Sequence, residues 1–205
     1  MDIEQRFASD LARLAATRDS NSSARATLAI LRRGLGKAPG DAPEMYRYVQ
    51  PRIAAVPERD EDRFYLVASL FAAHQISWPA PEAESNAGPA RRVDIGTSLR
   101  QFVVRKPDAA EGTERRFSAL LQCDRTELPE HLRHAVSLLK SEEIPVQWAQ
   151  LLRDIARWHY DGKPAQRQWA RSYWNSTPQN ATDTDETTIT AITANTGDDS
   201  DEKGA

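Results

Sequence analysis

Arginine is the residue type in this chain that most clearly indicates a possible function, since it accounts for 22 of the 27 basic residues. Its planar guanidinium group can donate two hydrogen bonds at once to a phosphate. A GC-rich genome would also raise arginine content, so abundance alone does not decide the matter. Three successive segments each combine an apolar stripe at helical spacing with arginine on the opposite side: Glu114–Leu121, Leu128–Lys140 and Trp148–Trp158. Recurrence of the pattern predicts a helical scaffold that presents a basic surface.

The arginines of these three segments are Arg115, Arg116, Arg133 and Arg153. Taken singly, each could be a solvated side chain that pairs with a neighbouring acid, and such exposed pairs contribute little to stability. Their repetition on consecutive segments favours contact with a polyanion. The alternative, in which the arginines bind acidic surfaces of protein partners, stays open.

Other reactive residue types do not assemble into a site. His131 and His134 are three residues apart, but no third metal ligand lies at a suitable spacing. Cys123 follows an apolar helix end and is best interpreted as a packed thiol. Gly34–Lys37 is similar to a phosphate loop but lacks the Walker spacing, the preceding strand and the following Ser or Thr. We therefore expect no catalytic residues, no metal, no cofactor and no enzymatic activity.

The charge of the chain is unevenly distributed along the sequence. The formal net charge is −3, but residues 176–205 contain seven acidic residues and one basic residue. Subtracting these leaves 26 basic and 23 acidic residues in 1–175, a net charge of +3. The tail is rich in Thr, Asp, Asn and Ser, so we predict that it is disordered. We expect it to be dispensable, or to compete with nucleic acid for the basic surface.

Two further features of the sequence bear on where the protein works. Cys123 is the single cysteine, so no disulfide can form within the chain, which fits a reducing compartment. No apolar run approaches the about 20 residues that a membrane helix needs. Charged and apolar residues alternate from Met1 to Leu14, which does not resemble a signal peptide. We therefore predict a cytoplasmic protein without a membrane partner.

The positions of apolar residues predict an all-α protein, because helical periodicity recurs throughout and no strand alternation is visible. The tryptophans Trp148 and Trp158 lie on an apolar stripe and are predicted to be core residues rather than base-stacking residues. The expected helices span about 2–17, 23–33, 43–50, 58–76 and 94–105, then the three arginine-bearing segments, and finally 164–174. We predict that Pro51 ends the third of these helices. Residues 79–92 contain three prolines and a glycine without periodicity, so the sequence predicts two small helical bundles, 1–78 and 93–175, joined by this loop and followed by the tail 176–205.

Several short motifs occur in the same order as in a known family. In the first half these motifs are Leu31-Arg32-Arg33-Gly34 and Tyr46-Arg47-Tyr48-Val49-Gln50-Pro51. In the second half they are Gly96-Thr97-Ser98-Leu99, Glu114-Arg115-Arg116-Phe117, Asp124-Arg125-Thr126, Leu132-Arg133 and Trp148 with Leu152-Arg153. Over about residues 20–174 the ordered set resembles the CasB small-subunit family of type I-E CRISPR surveillance complexes, known as Cascade.

This resemblance implies a two-part helical protein without enzymatic activity that works inside an RNA-guided complex. Its expected partners are the guide RNA, the target and displaced DNA strands, other Cascade subunits and a second copy of itself. Because guide pairing reads the sequence, such a subunit needs only sequence-independent positive charge. At the matched positions the expected nucleic-acid-binding residues are Arg32, Arg33, Arg115, Arg116, Arg125, Arg133 and Arg153. Charge placement alone adds Lys37, Arg100 and Lys140.

Overall fold

The computed structural model describes residues 2–38, 41–78 and 93–175. Within these ranges the chain forms nine α-helices and no β-strand, which confirms the predicted all-α class. The helices are α1 (Ile3–Thr17), α2 (Ser22–Arg32), α3 (Tyr46–Ile53), α4 (Asp62–Ala73), α5 (Ile95–Arg105), α6 (Ala110–Gln122), α7 (Leu128–Ser141), α8 (Trp148–Ala156) and α9 (Pro164–Trp174). Single 3₁₀ turns precede α3, α4 and α6, at Pro43–Met45, Glu58–Asp60 and Pro107–Ala109.

Polar side chains define the starts of three helices. A carboxylate oxygen of Asp2 accepts a hydrogen bond from the Gln5 N–H at 2.9 Å. Asn21 caps α2 in the same manner, and Asp94 and Thr97 form a reciprocal capping box at α5. These bonds satisfy N–H groups that no carbonyl within the helix can reach. The beginnings of α1, α2 and α5 are therefore encoded by local sequence.

Helix α4 lies at the centre of the fold. Nine of its twelve residues are buried, and it packs against α2, α3, α7 and α8. A helix buried on most sides requires apolar residues around most of its circumference, as α4 has from Phe64 to Ala72. Around it, α1 packs on α2 and α8, α5 packs on α9, and α6 packs on α7. Buried side chains from both the first and the second half of the chain join one hydrophobic core.

Two arginines link helices that are far apart in sequence. Arg63 of α4 is 9% exposed; its guanidinium lies 3.0 Å from the Glu4 carboxylate and donates to the Leu152 carbonyl at 2.9 Å. Arg153 of α8 donates to both carboxylate oxygens of Asp2 at 3.0 Å. These bonds fasten the beginning of the chain to α4 and α8.

A buried carboxylate joins α8 to α9. Asp154 is 0% exposed, and one of its oxygens accepts hydrogen bonds from Gln150 Nε2 and Arg157 Nη2, both at 2.7 Å. The other oxygen accepts from the indole N–H of Trp169 at 2.8 Å. Hydrogen bonds to an ionised acceptor are stronger than those between neutral groups. This side chain therefore links α8 directly to α9.

Helices α5 and α9 approach each other closely at Gly96. A Cβ atom at this position would lie 2.1 Å from the carbonyl oxygen of Trp169. That separation is far below any van der Waals contact, and the obstacle is backbone rather than a movable side chain. The absence of a side chain at Gly96 thus sets the distance between the two helices.

Two predicted helix limits are wrong. Pro51 does not end its helix, because α3 continues to Ile53. The α-helical part begins only at Tyr46, so Pro51 lies in its second turn. Because proline has no N–H group, one intrahelical hydrogen bond is missing, the one that would be accepted by the carbonyl of the exposed residue Arg47. The long helix expected over 58–76 is instead a 3₁₀ turn followed by α4.

The predicted linker 79–92 and the acidic tail 176–205 fall outside the described residues. The division into domains 1–78 and 93–175 stays a prediction. Helices on both sides of the proposed boundary are in contact, since α1 and α4 both pack against α8. No helix in the described ranges combines the length and the hydrophobicity needed to span a bilayer.

Candidate nucleic-acid interface

The ten predicted nucleic-acid-binding residues do not form one continuous patch of side chains in contact. They fall into two grooves, an exposed helix face, and isolated positions. Each group is positioned by different elements. The groups differ in how many of their cations are already paired with groups of the protein.

The first group lines a groove of about 510 Å³ between the two halves of the chain, which we call the basic groove. Lys37 reaches it from the loop after α2, Arg125 from the loop before α7, and Arg133 from α7. Its apolar floor comes from the 3₁₀ turn before α3 and from α4, α7 and α8, and includes Met45, Leu66, Leu70, Leu128 and Ile155. The fold thus brings together three cations that lie as many as 96 positions apart in the sequence.

Contacts between arginine side chains and loop backbone form the walls of the basic groove. Gly36 has a φ of +76°, and a Cβ atom on it would lie 2.8 Å from a guanidinium nitrogen of Arg133. Glycine is favoured there because its backbone adopts the left-handed conformation, and the Arg133 side chain packs close beside it. On the other side, Arg125 donates to the Arg59 carbonyl at 3.1 Å. The glycine-rich loop Gly34–Lys37 therefore serves as a wall packed on an arginine.

The basic groove also contains acids, so its positive charge is partly compensated. Arg133 lies 3.6 Å from the Glu130 carboxylate, and Asp62 lines the same groove. Lys37 is exposed and has no ion-pair partner among the described residues. Because exposed pairs are weak, Arg133 can exchange Glu130 for a phosphate at little cost.

A second groove of about 580 Å³ lies at the ends of α4 and α7, and we call it the helix-end groove. Arg32 and Lys140 line it, together with Arg18, which the sequence analysis missed. Arg32 donates two hydrogen bonds to the Ala72 carbonyl, at 2.9 and 2.8 Å, and thereby caps α4. Arg18 could not have been identified from sequence, since only the packing of α1 on α2 brings it to the same groove as Arg32.

His74 lines the helix-end groove but is a structural residue. Its Nε2 lies 2.6 Å from the Ile144 carbonyl, and its ring meets Trp148 edge-on. Burial lowers the pKa of His74 below its usual value, which keeps the ring neutral near pH 7 and able to donate to that carbonyl. It adds no positive charge to the groove.

Arg115 and Arg116 form the α6 arginine face. Both side chains are exposed, and neither has an ion pair or hydrogen bond with a described residue. Arg116 lies along its own helix, with a guanidinium nitrogen 3.6 Å from where a Gly112 Cβ would be. Arg100 on α5 is half-buried and likewise has no ion-pair partner in the described ranges. These three cations are therefore available to an external anion.

Two predicted residues stand apart from the grooves. Arg153 is committed to Asp2 in the two-bond contact described above. Burial pushes the pKa of the Asp2 carboxyl upward, but the Gln5 N–H and the Arg153 guanidinium together bring it below its usual value. Arg33 is exposed, 4.0 Å from the Glu44 carboxylate. The guanidinium group of Arg153 is thus already paired with a carboxylate of the protein, which leaves it less available to a phosphate.

The single cysteine and the two tryptophans assigned to the core occupy the buried positions that the sequence predicts. Cys123 is buried, its thiol donates to the Leu120 carbonyl at 3.1 Å, and burial raises its pKa to about 11. Trp148 and Trp158 lie in the core, as predicted. Among the residues that the structure describes, His131 and His134 belong to no group of three or more potential metal ligands.

Over the described ranges the protein is all-helical and has two grooves between packed helices, each lined by arginine and lysine together with one or more acidic residues. The chain belongs to the CRISPR-associated protein Cse2 family, whose model matches residues 27–174. A curated CRISPR-associated protein Cse2 from Thermus thermophilus is 32% identical over 157 residues, which cover 74% of this chain and 80% of that protein.

Solved structures share the fold. A Cse2-family protein from Thermus thermophilus aligns with a TM-score of 0.66 at 28% identity, over 86% of this chain and all of the other. A chain of a CRISPR RNA-guided surveillance complex aligns with a TM-score of 0.65 at 32% identity, over 84% of this chain and 93% of that one. The family resemblance inferred from ordered motifs is confirmed.

Proposed function

We propose that this protein is a non-catalytic, nucleic-acid-binding subunit of a cytoplasmic RNA-guided antiviral complex. Its basic surfaces stabilise the guide RNA, the target strand and the displaced DNA strand, beside other Cascade subunits and a second copy of itself. The similarity to a chain of an RNA-guided surveillance complex supports this assignment. The observation that carries the nucleic-acid role is the convergence of Lys37, Arg125 and Arg133 on the basic groove.

The arrangement suits a ligand that is recognised by charge rather than by sequence. Guanidinium and ammonium groups on three separate elements can contact several phosphates of one strand. Binding of this type weakens steeply with salt, because each phosphate contact releases condensed counterions. Pairing with the guide supplies the sequence specificity, so the subunit needs no base-specific groups.

Reversing two charges of the basic groove, with Lys37→Glu and Arg125→Glu, is expected to weaken binding of a mixed-sequence oligonucleotide at least about 10-fold at low salt. The slope of log K against log salt should become shallower by about 0.7 per lost contact on a single strand. Fluorescence anisotropy at several salt concentrations measures both quantities. The matched control is Arg6→Glu with Arg47→Glu, which reverses two exposed charges that line neither groove. Equal loss in both double variants would show a general charge effect and contradict the groove assignment.

The α6 arginine face gives an independent test. Arg115→Glu with Arg116→Glu should also weaken strand binding several-fold at low salt, while the helical circular dichroism signal stays unchanged. Both side chains are exposed, so the substitutions remove no buried contact. Retention on immobilised nucleic acid equal to that of the unaltered protein would remove these two residues from the interface.

A second candidate function is that of a structural adaptor whose arginines bind acidic protein partners without touching nucleic acid. The mixed lining of the basic groove favours this possibility, since Asp62 and Glu130 stand beside the cations above an apolar floor. Co-purification with the partner subunits, with and without nuclease treatment, separates the two functions. An adaptor remains bound after nuclease treatment and ignores free oligonucleotides.

A further inference from the structure

Helix α9 exposes a tryptophan that the predicted interface does not include. Trp174 is 47% exposed, whereas Trp148, Trp158 and Trp169 are at most 3% exposed. It is the only large apolar side chain of α9 that is exposed. Leaving an indole ring in water forgoes a substantial hydrophobic gain.

Neighbouring groups hold the Trp174 ring in one orientation. Its centroid lies 5.3 Å from that of Phe117 and 5.0 Å from that of Tyr173. The indole N–H points to the Glu114 carboxylate, with a donor–acceptor distance of 3.4 Å. Contacts to α6 and to the preceding residue therefore support the ring on one side and leave the other side open.

Arg167 and Arg171 lie on the same outer face of α9 as Trp174. The three residues occupy positions i, i+4 and i+7, which place them on one stripe of a helix. With a rise of about 1.5 Å per residue, Arg171 lies about 6 Å along the helix from Arg167 and about 4.5 Å from Trp174. Both arginines are exposed, and neither forms an ion pair with any described residue. Two available cations thus lie on the same helical stripe as a supported aromatic ring, both on its N-terminal side.

We propose that this α9 outer face, Arg167, Arg171 and Trp174, binds single-stranded nucleic acid by stacking one base on Trp174 and holding adjacent phosphates with the two arginines. The inference rests on the proposed function and extends it from charge contacts to a base contact. An unstacked base is available only in a single strand, so the site discriminates against duplex. Base–aromatic stacking tolerates any sequence, because every base has a π-face.

A protein partner fits this face less well. The core of a protein interface buries several apolar side chains together. On α9, Trp174 is the only large apolar side chain that is exposed, and the residues beside it on the same stripe are Arg171 and Arg167. Arginine beside an accessible aromatic ring is the combination found in single-strand binding grooves.

The test compares Trp174→Leu and Trp174→Phe in the full-length protein. Leucine preserves apolar bulk without a π-face, and phenylalanine preserves the π-face. Binding is measured on a mixed-sequence single strand, an abasic strand of equal length and charge, and the corresponding duplex. Trp174→Leu should weaken binding to the base-containing strand about 5-fold or more, the lower limit for loss of one stack. Trp174→Phe should retain most of the affinity, and the abasic strand and duplex should not distinguish the variants.

The arginines give a separate readout. Arg167→Ala with Arg171→Ala should weaken binding to base-containing and abasic strands alike, and should reduce the single-strand salt slope by about 1.4 for two lost contacts. The proposal is overturned if Trp174→Leu binds the base-containing strand as tightly as the unaltered protein. It is also overturned if that variant weakens abasic and base-containing strands equally. Normal strand binding with loss of assembly into the complex would instead identify α9 as a protein-docking face.

Failure of this inference differs from failure of the proposed function. If the unaltered protein binds no strand at low salt, the nucleic-acid role itself is wrong. If it binds and responds to Lys37→Glu with Arg125→Glu but not to Trp174→Leu, only the stacking site is wrong.

Discussion

Asp154→Ala is expected to lower the free energy of unfolding by about 3–5 kcal/mol, because two buried donors lose their acceptor at about 1–3 kcal/mol each and the ion pair with the partly exposed Arg157 is lost. The substitution leaves the Trp169 indole N–H and the Gln150 amide without their acceptor in the interior, where an unsatisfied donor costs more than the bond contributed. Since the unaltered protein is expected to have only about 5–15 kcal/mol of stability, this loss is a large fraction of the total.

Urea unfolding followed by circular dichroism measures this effect, and the melting temperature should fall by roughly 6–20 °C. The stability of Asp154→Asn should lie between that of the unaltered protein and that of Asp154→Ala, because asparagine keeps one acceptor oxygen but loses the charge. The matched control is Asp161→Ala, an exposed aspartate in the next loop, which should change the stability by less than about 0.5 kcal/mol. A loss below about 1 kcal/mol for Asp154→Ala would mean that water replaces the carboxylate and that the network contributes little.

Gly96→Ala is expected to be the second most damaging change, although it adds a single methyl group. The added Cβ would meet the Trp169 carbonyl oxygen at 2.1 Å, so α5 and α9 must separate. Overpacking of this kind costs about 1–3 kcal/mol, and more when backbone has to move. Because α9 bears Trp174, the same change should also weaken single-strand binding.

Gly112→Ala provides the control, and it is expected to raise the stability of the protein rather than lower it. A Cβ there would meet only the flexible end of Arg116 at 3.6 Å. Gly112 lies within α6, where alanine is favoured over glycine by up to about 1 kcal/mol. Denaturation midpoints should therefore move in opposite directions for the two Gly→Ala variants. A neutral result for Gly96→Ala would show that the two helices can slide apart freely.

The helices could be predicted from sequence because their signals are local. Apolar stripes and capping residues such as Asp2 and Asp94 lie within a few residues of the helices they define. Pro51 misled the prediction, because whether a proline ends a helix depends on where the helix begins, and the preceding 3₁₀ turn carries no clear sequence signal. The family could be recognised because its motifs occur in a fixed order.

The interface was less accessible to sequence reasoning. Whether an arginine faces solvent or another part of the protein depends on contacts between distant segments, as between Arg153 and Asp2, 151 residues apart. The basic groove combines loops from both halves, which no periodicity reveals. The spacing of Arg167, Arg171 and Trp174 was present in the sequence, but an aromatic residue near buried Trp169 and Tyr173 is easily taken for part of the core.

The packing of α1 and α4 on α8 has a consequence for synthesis of the protein. The partner surface for α1 begins at Trp148, 145 positions after the first residue of α1, Ile3. At about 5–20 residues per second this interval lasts roughly 7–30 s. During that time the side of α1 that packs on α8 has no native cover, although α2 already covers another part of α1. The side of α4 that faces α8 is likewise uncovered from the synthesis of α4 until that of α8. The nascent chain should therefore be a substrate for ribosome-associated chaperones.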